Sequence, residues 1–287
     1  MPGLKIRALL AASAPAALVA ALAGASAMAA APAPQPTAAD WRAPDPAHTM
    51  VIDTNKGRIV LELYPTIAPL SVARLETLTR THLYDGLTFF RVIDGFMDQT
   101  GDPMNTGEGQ STLPDIKAEF AFKATPGFPV VSHPGNGGDA GFIGAMPVVS
   151  QPAALGALTA DGRVDASALF CSGVVGIARA QSPDSGNSQF FLMRGMKLEL
   201  DEKYTAVGRV IAGQDIVDTI KTGEPVEAPR DRMVKVQMLA DMAPGDRPVL
   251  KVIDTKSAYF KALAAKEKIA KGDDFMPCDV PVASTIK

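Results

Sequence analysis

Phe89-Phe90-Arg91-Val92-Ile93-Asp94-Gly95-Phe96-Met97-Asp98-Gln99 sets one guanidinium into a run of apolar side chains, turns at a glycine, and follows with two more apolar residues and an amide. Residues 88–93 read as a strand and Gly95 as its end. Much later, Ser188-Gln189-Phe190-Phe191 supplies a second amide beside aromatics. Together these groups can build an apolar pocket with a cation and two amides at its rim. Ordinary core packing is the competing reading of Phe89, Phe90, Phe96 and Phe191. For Arg91 it is a surface arginine with an apolar stem.

The flanking sequence gives these groups a β framework. Residues 50–54, the turn Asn55-Lys56-Gly57, and the alternating Ile59, Leu61 and Leu63 read as a hairpin. Pro69 opens a helical stretch to about Thr79 with Val72, Leu75 and Leu78 on one stripe. Residues 188–193, 205–211 and 233–239 read as strands, and 215–222 as a short helix. Many short strands without regular βα alternation predict an antiparallel barrel or sandwich. Residues 121–170 are rich in Gly and Pro and poor in charge, which predicts a long irregular loop. After Met242 a tail begins, with a helix predicted from a Thr255 cap to about Lys271 and Gly272 as its stop.

Composition removes several classes of function. Lys5 and Arg7 precede an apolar run and the small-residue triplets Ala25-Ser26-Ala27 and Ala27-Met28-Ala29, the pattern of a secretory leader over 1–29. An uncleaved membrane anchor is the competing reading, disfavoured by Pro15 and the cleavage motif. The expectation is export to the periplasm or beyond, with no stable membrane insertion once the leader is removed. Of 28 Lys+Arg, 26 then remain against 31 Asp+Glu, so no basic surplus is left to neutralise nucleic acid. Three histidines without ligand spacing and two cysteines argue against a metal centre. Export permits a Cys171–Cys278 disulfide, but spacing alone leaves paired and unpaired thiols equally open. Residues 30–47, rich in Ala and Pro, read as an extended linker holding Trp41, the single tryptophan.

The opening stretch resembles the signature of the cyclophilin-type peptidyl-prolyl cis-trans isomerases. Three further stretches do so in the same order: Leu83-Tyr84-Asp85-Gly86-Leu87-Thr88-Phe89; Gly176-Ile177-Ala178-Arg179-Ala180 with Asp184-Ser185-Gly186-Asn187-Ser188-Gln189-Phe190-Phe191; and the run 200–210, from Leu200-Asp201-Glu202-Lys203-Tyr204 to Val210. The resemblance implies a mainly β fold over 48–243: a closed eight-stranded antiparallel barrel capped by two helices, interrupted by the loop insertion at 121–170 and followed by the helical tail 244–287. It implies no cofactor, proline-containing polypeptides as partners, and Arg91 as the catalytic group. Phe96, Met97, Phe191 and Leu200 match the walls of the proline pocket. Gln99, Ala178, Arg179 and Gln189 match positions holding the substrate backbone, and Ala180 borders the neighbouring subsite.

Departures from the family pattern are Phe90 for a common His, Thr100 for Gly, Glu199 for an aromatic, Tyr204 for His and Val207 for Phe. The Glu199 change predicts weak binding of cyclosporin-type inhibitors. Two functions compete: a prolyl isomerase assisting the folding of exported proteins, and a non-catalytic module binding a partner through the insertion or tail. Retention of Arg91, Phe96, Gln99, Phe191 and Leu200 favours the enzyme.

Overall fold

The computed structural model describes residues 35–135 and 137–287; the leader expected at 1–29 lies outside them. The predicted hairpin is present. β2 (Thr49–Thr54) follows a two-residue strand β1 (Trp41–Arg42) and pairs with β3 (Arg58–Leu63), Ile52 opposite Ile59 and Met50 opposite Leu61. Alternation sends Met50, Ile52, Ile59, Leu61 and Leu63 into the core. Helix α1 (Pro69–Arg80) lays Val72, Leu75 and Leu78 on that core. Its first turn lacks a capping side chain of its own, and Glu119 supplies one, accepting from the backbone N–H groups of Leu70 and Ser71 at 2.9 Å each.

β4 (Arg91–Ile93) and β5 (Met97–Thr100) follow α1. Residues 121–170, expected as an irregular loop, instead fold into strands β6 (Phe122–Ala124), β7 (Val130–Ser132), β8 (Asp139–Ile143), β9 (Met146–Ser150) and β10 (Val164–Ala168). They form one antiparallel sheet in the order β6-β10-β9-β8-β7. Gly141, one of the residues that suggested a loop, is a means of close packing here. A Cβ at Gly141 would lie 1.9 Å from the Pro129 carbonyl oxygen, so only glycine lets β8 approach its neighbour.

The main sheet resumes with β11 (Val174–Ile177), β12 (Phe190–Met193), β13 (Ala206–Ala212) and, after the short helix α2 (Gln214–Val217), β14 (Met233–Met238). Its eight strands run β14-β2-β3-β13-β11-β12-β5-β4. The sheet curls round the core, yet no ladder joins β4 to β14. That seam is crossed instead by the isolated bridges Thr88–Arg232 and Val92–Gly223 and by separate backbone bonds, among them Phe89 N–H to the Asp231 carbonyl (3.0 Å), Met233 N–H to the Leu87 carbonyl (2.8 Å) and Val226 N–H to the Phe90 carbonyl (2.8 Å). The barrel implied by the resemblance is here a curled sheet open along one edge. The segment facing β4 contains Pro225 and Pro229, which have no N–H to lend to a ladder. α2 is also shorter than the predicted 215–222; a turn carries the chain on to the buried Ile220.

The predicted linker and tail meet each other. β15 (Leu250–Ile253) pairs on one side with β1, Trp41 opposite Ile253, and on the other with β16 (Ser284–Ile286). Between β15 and β16 runs helix α3 (Ala258–Lys271), as predicted except for its cap. The Ser257 hydroxyl accepts the Phe260 N–H at 3.1 Å, while Thr255 donates to the Gly144 carbonyl. Phe260 meets Phe142 of β8 edge to face at 5.1 Å, with Trp41, Tyr259 and Leu263 packed around them. Arg42 holds the buried carboxylate of Glu62 through two bonds, 2.5 and 2.7 Å. Cys171 and Cys278 are joined, with Cα atoms 5.2 Å apart, fastening the tail to the segment just before β11.

Candidate functional site

Register places the predicted groups side by side. Arg91 lies opposite Gln99, Gln99 opposite Phe191, and Phe191 opposite Gly176, so one row crosses β4, β5, β12 and β11. Directly opposed residues share a face. Met97, two residues from Gln99, shares it too, whereas Asp98 points to the other side. There its carboxylate is fully buried against Arg194, Nε to Oδ1 2.5 Å. Burial pushes the Asp98 carboxyl up to about 7, and the Arg194 guanidinium pulls in the opposite direction.

The shared face is a cavity of about 100 Å³ lined by Arg91, Phe96, Met97, Gln99, Ala178, Arg179, Phe191, Leu200 and Tyr204. Beside it lies a larger groove of about 440 Å³, to which Gln99, Ala178, Arg179, Ala180 and Gln189 contribute. All ten residues singled out in the sequence therefore stand on one of two adjoining hollows. Phe191 forms the floor of the smaller hollow. Its ring stacks on Phe170 (5.9 Å, 24° between planes) and receives the edge of Tyr204 (5.9 Å, 83°). Gly176 makes this possible, since a Cβ there would sit 2.3 Å from Phe191 Cζ.

The polar rim is an ordered relay. Glu224 Oε1 accepts from Arg91 Nε at 2.6 Å, and Arg91 Nη2 lies 2.6 Å from the same oxygen. Arg91 Nη1 donates to Gln99 Oε1 at 3.3 Å, and Gln99 Nε2 to Gln189 Oε1 at 2.8 Å. Gln189 Nε2 ends the chain on the carbonyls of Gly107 (3.0 Å) and Gly109 (2.8 Å). Across the hollow, Arg179 lies over the Tyr204 ring at 4.5 Å while donating to the carbonyls of Lys203, Ala180 and Gln181. Leu200 is carried by a single helical turn, Leu198–Leu200. Next to it, Asp201 accepts the Phe170 N–H at 2.8 Å, and burial raises its carboxyl to about 6. Glu199, on the same turn, is exposed.

Three neighbours of the site were not singled out as site residues. Tyr204 was read only as a departure from the family pattern. Phe170 was assigned to the end of a loop, because nothing local shows that its ring supports Phe191. Glu224 lies 133 residues from Arg91, and no pattern in the sequence links the two. What the arrangement offers chemically is a small hollow with apolar walls for a compact ring, a guanidinium at its lip, and amides able to hold a backbone on either side. Among the described residues no group of three or more His, Cys, Asp or Glu gathers as metal ligands do, and no helix is long and apolar enough to cross a membrane.

Comparison with known proteins agrees with this geometry. A family profile, cyclophilin type peptidyl-prolyl cis-trans isomerase/CLD, matches residues 49–240. A probable peptidyl-prolyl cis-trans isomerase of Brucella suis is 33% identical over 214 residues, covering 69% of this chain and 86% of the relative, and one of Brucella melitensis matches equally. The crystal structure of cyclophilin AquaCyp293 from Hirschia baltica superposes with a TM-score of 0.78 at 34% identity, covering 86% of this chain and 93% of that one. On fold, site and kinship together, the chain belongs to the cyclophilin-type peptidyl-prolyl cis-trans isomerases.

Proposed function

We propose that this chain rotates Xaa-Pro bonds in the hollow at Arg91, and that its substrates are exported proteins whose folding it assists in the periplasm or outside the cell. The observation that carries the catalytic reading is that Arg91 lines the same cavity as Phe96 and Phe191. The leader-like start of the sequence supports the destination.

Resonance keeps the peptide bond planar behind a barrier of roughly 18–20 kcal/mol. X-Pro bonds populate both planar forms and exchange over roughly tens to hundreds of seconds. Reaching milliseconds requires lowering the barrier by about 7 kcal/mol, at about 1.4 kcal/mol per tenfold. No covalent step is needed. In the twisted form conjugation is lost and the prolyl nitrogen regains its lone pair, which a fixed N–H donor can address. Arg91 supplies that donor from a planar guanidinium fork. The planar forms offer it much less, so the interaction favours the transition state over the ground states. Phe96, Met97, Phe191 and Leu200 grip the ring. Gln99, Ala178, Arg179 and Gln189 hold the backbone, with Ala180 at the next subsite.

The test is an isomerisation assay on a short Xaa-Pro peptide with wild type and Arg91→Ala. Removing one preorganised donor costs about 10²–10³-fold in related situations, and a loss of that order is expected. Equal rates would exclude Arg91 as the catalytic group. Fractionation of cells expressing the full chain tests the destination, and retention in the cytoplasm would refute it.

A further inference from the structure

We infer that Glu224 is a positioning residue for Arg91, holding the outer edge of the guanidinium so that its inner end faces the hollow. The inference rests on the catalytic reading of Arg91 given above.

An arginine on a sheet rim must lose rotamer freedom before it can serve as a preorganised donor. Arg91 is more than a third exposed, so packing alone does not fix it. Its five N–H groups are divided unequally. The Nε–H donates to Glu224 Oε1 at 2.6 Å, Nη2 lies at ion-pair distance from the same oxygen, also 2.6 Å, and Nη1 donates to Gln99 Oε1. Among the described residues no further acceptor takes the other terminal N–H groups, and Arg91 lines the cavity. Substrate can therefore be engaged without breaking the Glu224 contact. That division argues for a support rather than for a blocking contact that must be released.

The backbone that carries Glu224 is itself held to the strand of Arg91. Val92, next to Arg91, exchanges two hydrogen bonds of 2.8 Å with Gly223, and the Val226 N–H reaches the Phe90 carbonyl at 2.8 Å. Glu224 is thus clipped on both sides to the strand that carries Arg91. Arg230 Nε steadies the far end of the clip through the Val226 carbonyl at 2.6 Å. The relay beyond Arg91 gives the support a direction. Turning the guanidinium away from Gln99 would also free Gln99 from Gln189, so the support reaches the amides that hold the backbone.

The experiment measures kcat and KM for Xaa-Pro isomerisation in wild type, Arg91→Ala, Glu224→Ala, Glu224→Gln and the double Arg91→Ala/Glu224→Ala variant, with a thermal melt of each. Glu224→Ala is expected to lower kcat about tenfold, the scale of a small misplacement of a catalytic group, with KM within about twofold of wild type. Glu224→Gln keeps an oxygen acceptor for Nε and should recover most of that loss. In the Arg91→Ala background, removing Glu224 should cost nothing further, the non-additivity expected of residues acting as a unit. A Glu224→Ala enzyme as fast as or faster than wild type overturns the inference, as does an equal loss with and without Arg91. An inactive wild type, or one matched by Arg91→Ala, would instead sink the catalytic reading on which it rests.

Discussion

Replacing both Cys171 and Cys278 by alanine tests how the C-terminal extension is held. The bond closes a loop with a sequence separation of 107. On the chain-entropy relation, opening such a loop in the unfolded ensemble costs about 4.8 kcal/mol at 25 °C. In the folded chain little else changes. β15 still pairs with β1, Arg247 still donates to the carbonyls of Met242 and Ala240, and Phe260 still packs on Phe142. Phe170, adjacent to Cys171, keeps its bond to Asp201 and its stack on Phe191. The loss should therefore be one of stability and not of catalysis. With each kcal/mol worth about 2–4 °C in a chain of this size, the melting temperature should fall by roughly 10–20 °C. Isomerase activity at 25 °C should stay within about twofold of wild type. Circular dichroism melts of both proteins, with activity measured alongside, decide the matter. A melting temperature within 2 °C of wild type would refute the claim that this long loop is what the bond stabilises. Lost activity with an unchanged melt would mean that the bond shapes the floor of the hollow directly.

Other outcomes follow from the site. Gly176→Ala puts a methyl group 2.3 Å from Phe191 Cζ and 2.9 Å from Phe170 Cε1, so both rings must move; KM should rise about fivefold or more, with roughly 1–3 kcal/mol lost in urea melts, and an unchanged KM would remove Phe191 from the pocket wall. Asp201 has its carboxyl raised to about 6 by burial, so at pH 5 the folded chain keeps a proton that most of the unfolded chain has released. The stability this contributes is lost as pH rises from about 4 through 6. Asp201→Asn keeps an acceptor for the Phe170 N–H and should flatten that slope in urea titrations; identical slopes in the two proteins would contradict it. The rate, by contrast, should be flat between pH 6 and 8. The Asp98 carboxyl, although held up at about 7, faces away from the hollow, and an arginine guanidinium in general keeps its charge throughout that window. A steep profile in that window would point to a different chemical group.

Legibility from the sequence tracked the distance over which contacts act. The 50–63 hairpin is written in turn residues and alternation that are local, and β2 and β3 follow it nearly residue for residue. The ten site residues could be named because they fall in short ordered stretches resembling a known family, and strand register then gathers them round two hollows. The inserted sheet was misread for a physical reason. Gly141 is a loop former by composition, but its missing Cβ lets β8 come close to the chain entering β7. Trp41 gave no local sign that its partner is Ile253, because that pairing joins opposite ends of the chain. The same distance hid Glu224 from Arg91, and spacing alone could not say whether two cysteines would meet.

The small sheet made from both ends of the chain sets an order of assembly. Trp41 is among the first described residues to be synthesised, yet the strand it pairs with comes some two hundred residues later, roughly 10–40 s behind it at ordinary rates of translation. Until then its indole has no cover, and Phe142 waits equally for Phe260. The curled sheet can gather beforehand, so a chain stopped short of residue 250 would hold the complete row from Arg91 to Gly176 while leaving aromatic surface open to any neighbour. A nascent-chain release series, probed with a dye that binds exposed apolar surface, should show that surface closing only once the last strands have emerged.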